Sequence, residues 1–235
     1  MFNPDPDIRE IPITPGQRCY VIDQVLQDPQ AWVDRACQHR DDFEMTGHNA
    51  YPGVELRMPD LISERLGEYF AQHVRSRLGA RRTERVHSRL ALVTLQPEQL
   101  QPRQWICHRD RMGLGDHYRI GASVLYLFKD PALGGTNFFV PRRPQAEIDL
   151  LVHESGTLTA AAFADKYGVA PGYLAESNAW FEKVQTVAPA WNRMIFYDGN
   201  LFHCSDIPAP QRLSADPALG RLTLNGFFTC TRRAG

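Results

Sequence analysis

Trp105-Ile106-Cys107-His108-Arg109-Asp110 decides how this chain is read. On an extended strand, side chains two residues apart share a face, so His108 and Asp110 point the same way. Both can then reach one cation, and a third donor must arrive from far along the sequence. His203, in Asn200-Leu201-Phe202-His203, is the candidate. Two imidazoles and one carboxylate make a facial triad, a donor set that suits non-haem Fe(II) and leaves coordination positions open. The flanking Cys107 and Cys204 are turned by the same alternation to the opposite face, and read as core thiols.

The tripeptide alone carries little weight. In a chain with eight His, a chance His-x-Asp has odds of roughly two in five. The chain holds a second copy, His39-Arg40-Asp41. That copy falls at the end of an expected helix, where residues two apart diverge, so it makes a poor chelate. The case for His108 and Asp110 rests on residues further along the chain.

The bulk composition sets the frame. A chain of 235 residues makes one large domain or two small ones. At 43% hydrophobic and 10% aromatic it has material for a core, which argues against disorder. A net charge of -1 gives no overall pull toward nucleic acid or an anionic membrane. The five Cys lack any Cys-x-x-Cys spacing, which fits reduced thiols in a cytoplasmic protein rather than a disulfide framework. No signal peptide and no membrane-spanning run is expected.

Residues 1–18 read as an arm leading to a strand at 19–25. Asp28-Pro29 caps and opens a helix, residues 46–58 form a loop, and a second helix starts at Pro59-Asp60. From Arg85 the period becomes that of strands, expected at 85–95, 105–110, 121–128, 136–140, 193–198, 201–206 and 221–229. A glycine-containing turn spans 111–116. Residues 144–187 interrupt this rhythm, with helices expected at 157–167 and 171–187, Trp180, Val184 and Val187 recurring at helical spacing. The fold class expected is mainly β with flanking helices, a sandwich or jelly roll. His73 reads as a packed core histidine, His117 as a surface residue, and Arg142-Arg143 as a solvated loop.

Near the C-terminus, Arg221-Leu222-Thr223-Leu224-Asn225 alternates polar and apolar. Arg221, Thr223 and Asn225 share one face. A guanidinium on an inward face is costly unless it meets an anion, and its fork fits a carboxylate. Tyr126 could donate to the same anion. The structural alternative is that Arg221 pairs with an Asp or Glu and that Tyr126 only packs.

Taken in order, His108-Arg109-Asp110, Tyr126-Leu127 ahead of Asp130, Gly134-Gly135-Thr136 with Phe138, Arg193 and Phe196 ahead of His203, and Arg221-Leu222-Thr223 resemble the Fe(II)- and 2-oxoglutarate-dependent dioxygenases of the prolyl-hydroxylase-like type. The resemblance covers roughly residues 85–230, and the flanking helical segments suggest a bacterial branch of undefined substrate. It implies a double-stranded β-helix forming a single domain over 1–235, with an N-terminal arm and helices at 1–84, a core at 85–230 and a helical insertion at 144–187. It implies Fe(II) held by His108, Asp110 and His203. It also implies 2-oxoglutarate held by Arg221 and Thr223 with help from Tyr126, and O2 as the oxidant. The reaction implied is hydroxylation of a C–H bond of a small molecule or peptide side chain, releasing succinate and CO2. Arg221 follows His203 by 18 residues, more than the family's usual gap, and the Pro-containing segment 206–220 is expected to absorb the excess as a surface loop. The 144–187 segment reads as a lid or as a dimer surface, leaving a homodimer open. Two other readings stand beside this one: a non-catalytic jelly-roll module that binds a ligand, and a cupin-like metalloenzyme without 2-oxoglutarate.

Overall fold

The computed structural model describes residues 1–46, 50–110, 115 and 117–232, and the turn expected at 111–116 lies, apart from Gly115, outside them. Among the described residues two antiparallel sheets form. The larger contains β1 (Ile8–Thr14), β2 (Gln17–Ile22), β3 (Gly53–Arg57), β4 (Ala80–Val93), β5 (Tyr118–Tyr126), β8 (Arg193–Asp198) and β10 (Arg221–Arg232), in the order β1-β2-β8-β5-β10-β4-β3. The smaller contains β6 (Thr136–Pro141), β7 (Phe181–Val187) and β9 (Phe202–Ser205), in the order β7-β6-β9. Four α-helices accompany them: α1 (Pro29–Gln38), α2 (Asp60–His73), α3 (Gln145–Glu154) and α4 (Ala160–Tyr167). None of the described helices is long and apolar enough to cross a membrane.

Three apolar clusters stack these elements into layers. Outside the large sheet, Val33 and Ala36 of α1 and Leu66, Tyr69 and Phe70 of α2 pack on Leu90, Leu224 and Phe228. Between the sheets, Tyr126 and Ile195 meet Phe138 and Val187. Outside the small sheet, Ile148 and Leu151 of α3 and Phe163 of α4 cover Phe139, Phe181 and Phe202. Burying one such side chain is worth about 1.5–3 kcal/mol. The layering therefore follows from strands that are apolar on one or both faces.

Local chemistry explains the helices that form. The Asp28 carboxylate accepts from the Ala31 amide at 3.1 Å, with Pro29 in the first turn of α1. Thr159 caps α4 in the same way, and Gly168 ends it at a left-handed φ of 63°.

Four expectations are corrected. The helix expected at 171–187 is instead strand β7 over Phe181–Val187, so 144–187 is helical only in α3 and α4. Pairing with β6 outweighs the helical spacing of Trp180, Val184 and Val187. The N-terminal arm already carries β1, paired with β2. The loop at 46–58 contains β3, paired with β4 from Gly53 opposite Val93 to Arg57 opposite Arg89. Residues 105–110 hold a single bridge, His108 opposite His203, rather than a strand. The segment 206–220 runs as turns with one short 3-10 stretch, and β10 begins at Arg221.

Candidate metal centre

His108 and His203 exchange both backbone hydrogen bonds, at 3.0 and 2.9 Å. That pairing sets the imidazoles side by side, 4.5 Å between ring centroids. Two residues on, the Asp110 amide donates to the Gly199 carbonyl at 2.7 Å, in the turn between β8 and β9. The segment is thus clamped at both ends. The Asp110 carboxylate lies 3.7 Å from His108 Nε2 and 3.5 Å from His203 Nε2. One ligand atom from each residue falls within 4.8 Å of the others. Donors on one divalent ion, at about 2.0–2.2 Å each, stand about 3 Å apart, so the two His–Asp separations lie within an ångström of that spacing and the three donors must draw together to complete the site.

The surroundings fit a cation. Asp110 Oδ2 is buried and has no hydrogen-bond partner among the described residues, a costly state for a carboxylate oxygen. Desolvation raises the Asp110 pKa, against smaller opposing effects of His203 and Arg89. Desolvation, with His203 and Arg89 as further causes, holds His108 well below the ordinary imidazole range. The first effect disfavours the bare carboxylate, and a divalent ion would reverse it; the second keeps His108 in the neutral form a metal needs. His203 Nδ1 donates to the Leu201 carbonyl at 2.8 Å, which leaves the Nε2 lone pair facing the site.

A small cavity of about 60 Å³ is lined by all three of these residues and by Arg221 and Thr223. Arg221 is 2% exposed. Its Nε and Nη2 donate to the Gly134 and Gly135 carbonyls at 3.2 and 2.6 Å. Among the described residues no carboxylate pairs with it, so its charge is buried without a counter-ion. The Thr223 hydroxyl donates to the Ala91 carbonyl at 3.4 Å, and Tyr51 also hydrogen-bonds to Thr223. Tyr126 lies opposite Thr223 in the β5–β10 register, but is not among the residues lining the cavity. Its hydroxyl bonds to the Thr136 hydroxyl at 2.8 Å, and its ring centroid lies 6.0 Å from the Arg221 guanidinium carbon.

This cavity adjoins a larger one of about 480 Å³, whose walls include Tyr51, His87, Arg89, Tyr173 and Phe227. The sequence reading missed them. Alternation along β4 puts His87, Arg89 and Ala91 on one face and could have found Arg89; Tyr51 and Tyr173 come from irregular segments and leave no local signal. Cys204 requires a correction. It lines both cavities, with Sγ 3.4 Å from the Leu174 carbonyl, because β9 is the edge strand of the small sheet and the cavities reach that edge. Cys107 is fully buried in the outer helical cluster, as expected. His117 is exposed, and Arg142 is exposed and paired with Glu182 at 3.6 Å; neither reaches the cavities. His73 is half-buried and packs tilted against Tyr69, 4.7 Å between ring centroids. The second His-x-Asp does not chelate: His39 Nδ1 contacts Asp42 at 2.8 Å.

Residues 4–228 match DUF6445, described as a family of unknown function, and the chain belongs to that family. No curated protein matches the chain in sequence. Among solved structures it is similar to SnoK, a non-heme alpha ketoglutarate dependent carbocyclase from nogalamycin biosynthesis. Identity is 15%, coverage is 93% of this chain and 81% of SnoK, and the TM-score is 0.54. This is a likeness of fold. SnoN, a non-heme alpha ketoglutarate dependent epimerase from the same biosynthesis, aligns less well. It has 12% identity, 92% and 81% coverage and a TM-score of 0.47. So does EvdO2 of Micromonospora carbonacea var. aurantiaca, complexed with 2-oxoglutarate, with 11% identity, 98% and 96% coverage and a TM-score of 0.46.

Proposed function

We propose that this member of DUF6445 is an Fe(II)- and 2-oxoglutarate-dependent oxygenase built as a single double-stranded β-helix domain. His108, Asp110 and His203 hold the metal. Arg221 and Thr223 receive the distal carboxylate of 2-oxoglutarate, and Tyr126 supports Arg221 from behind with its ring. One observation carries the proposal: a three-donor cluster and a buried guanidinium without a counter-ion line the same cavity. That SnoK, whose fold the chain shares, is itself alpha ketoglutarate dependent accords with it.

The charges balance. Neutral His108 and His203 with ionised Asp110 reduce a ferrous ion's charge by one. A dicarboxylate would then present one end to the metal side of the cavity and the other to Arg221, whose burial strengthens that pairing. Thr223 offers a hydroxyl beside it. Between the sheets the Asp110 and His203 side chains are only 10% and 6% exposed, while His108, 41% exposed, opens to the larger cavity. When bound, iron and 2-oxoglutarate supply activation of O2, with a substrate C–H bond becoming C–OH while succinate and CO2 leave. The substrate enters through the larger cavity.

The test is an anaerobic titration of metal-free protein with Fe(II) and 2-oxoglutarate, following the weak visible band of an iron–keto acid chelate. The expected result is a band that needs both components and weakens in Arg221→Ala. One observation favours the cupin-like alternative, a metalloenzyme without 2-oxoglutarate: Arg221 already donates to Gly134 and Gly135. Metal binding without any band would select that alternative; no metal binding by folded protein would overturn both.

A further inference from the structure

The larger cavity holds a second arginine whose bonding is incomplete. Arg89 lies on the cavity-facing side of β4, opposite Asn225 in the register with β10. It lines both cavities, and so stands where they join. Its Nη1 donates to Glu55 Oε2 at 2.9 Å, an oxygen that also accepts from Thr46. Its Nε is buried and has no partner among the described residues. A guanidinium serving only to neutralise a carboxylate tends to use two parallel donors. Here one corner holds Glu55 and the Nε donor is left over. The rings of Phe227 and Tyr51 flank the guanidinium carbon at 4.9 and 5.8 Å, fixing its place.

The rest of the wall has the same sign. Arg89 and Arg109 both line the larger cavity, and Asp110 is the one acid among its described lining residues. Asp110 is committed to the metal in the proposed oxygenase. Arg109 pairs at 3.3 Å with Asp149, whose side chain is 60% exposed and is not among the residues lining the cavity. Much of the remaining wall is aromatic or apolar, with Tyr51, Tyr173, Phe227, Ile106 and Leu174, and the neutral polar Gln104 and Ser205 complete it beside His87. A space of about 480 Å³ is sized for a small molecule.

We infer that the substrate is a small organic acid with an apolar body, its carboxylate bound by Arg89 and its chain directed toward the metal centre. This rests on the oxygenase reading for what becomes of the bound acid, though not for the binding itself. Arg221 serves the cosubstrate in the inner cavity, and Arg89 serves the substrate at the junction. Two guanidiniums for two different carboxylates explain why the site needs both.

The test is calorimetric titration of the full-length, metal-free protein with two acid–amide pairs: 3-phenylpropanoate against 3-phenylpropanamide, and hexanoate against hexanamide. Each acid is expected to bind about tenfold or more tightly than its amide. Arg89→Gln removes that preference and Arg221→Gln retains it. Glu55→Gln tightens acid binding severalfold by removing a competing charge, an effect that a purely structural ion pair would not give. Should Arg89→Gln fail to fold once Glu55 loses its guanidinium partner, the double variant Glu55→Gln/Arg89→Gln removes both charges together and must also lose the preference. Equal binding of acid and amide, no acid binding up to millimolar concentration, or a preference that follows Arg221 overturns the inference. Because no iron is present, a missing iron–keto acid band would fell the oxygenase assignment and leave this result standing, and the converse holds equally.

Discussion

The two faces of β10 are built for different ends. Toward the helices it presents Leu222, Leu224 and Phe228, all fully buried, with Phe228 stacked on Phe70 at 4.0 Å. Toward the small sheet it presents Arg221, Thr223 and Asn225, also buried but polar. The first face stabilises, at about 1.5–3 kcal/mol per side chain. The second costs, since a buried polar atom without a partner is worth about 1–3 kcal/mol against folding. Asn225 Oδ1 is one such atom, as is Asp110 Oδ2 across the cavity. One strand thus carries both the anchoring of the sheet and buried polar groups that line the inner cavity. Alternation keeps the two from interfering.

The separation can be tested by changing one side at a time. His203→Ala removes a metal donor and should abolish Fe(II) binding in the anaerobic titration while leaving the thermal unfolding of metal-free protein near that of wild type. Near-normal metal affinity in this variant would break the assignment. On the opposite face, Leu224→Ala should lower stability by about 2–5 kcal/mol in denaturant titrations and leave the Fe(II)–2-oxoglutarate band intact well below the transition. Loss of the band together with stability would show that the faces are coupled. Arg221→Gln should weaken 2-oxoglutarate about tenfold to hundredfold while Fe(II) alone binds as before. Gly199→Ala adds a Cβ that would stand 3.0 Å from Asp110 Cβ and 3.1 Å from Oδ2, so Fe(II) affinity should fall about tenfold as the carboxylate is pushed aside. Wild-type affinity would mean that the turn yields.

The smallest effect concerns pH. His87 stacks on Phe227 at 4.7 Å, and desolvation, then Arg89, Arg57 and Arg85, lowers its pKa below the ordinary 6.5. Between the two values the unfolded chain binds the proton and the folded one does not, so stability falls as pH drops below 6.5. His108 acts with the same sign in metal-free protein. His87→Gln should therefore flatten, without abolishing, the acid limb of the stability curve. An unchanged slope would show that His87 titrates alike folded and unfolded.

Some of this was legible along the chain, and for a common reason. Asp28-Pro29 and Gly168 mark helix ends through contacts only a few residues long, and α1 and α4 form where those signals stand. Alternation in Arg221–Asn225 separates the faces of β10 whatever the strand pairs with. The misread segments are those where a distant partner decides. Phe181–Val187 has spacings compatible with either helix or strand until β6 lies beside it. Gly53–Arg57 looks like part of a loop after Tyr51-Pro52, and becomes an edge strand because β4 offers a free ladder. Helix α3 starts after Pro144 as α2 starts after Pro59, neither with a side-chain cap, and the weaker apolar periodicity of α3, whose buried residues are Ile148 and Leu151, left it unread.

By itself the sequence determined which residue types could do chemistry and, in β10, which side of the strand they occupy, since both follow from local covalent geometry. Only the tertiary structure decided that His108 meets His203 backbone to backbone, that Gly199 holds Asp110, that Arg221 is bonded to two glycine carbonyls rather than to an acid, and that Arg89 stands between two cavities. Those facts depend on how two sheets close over one another. Closure is fixed by pairings between residues far apart in the chain, and no local pattern encodes them.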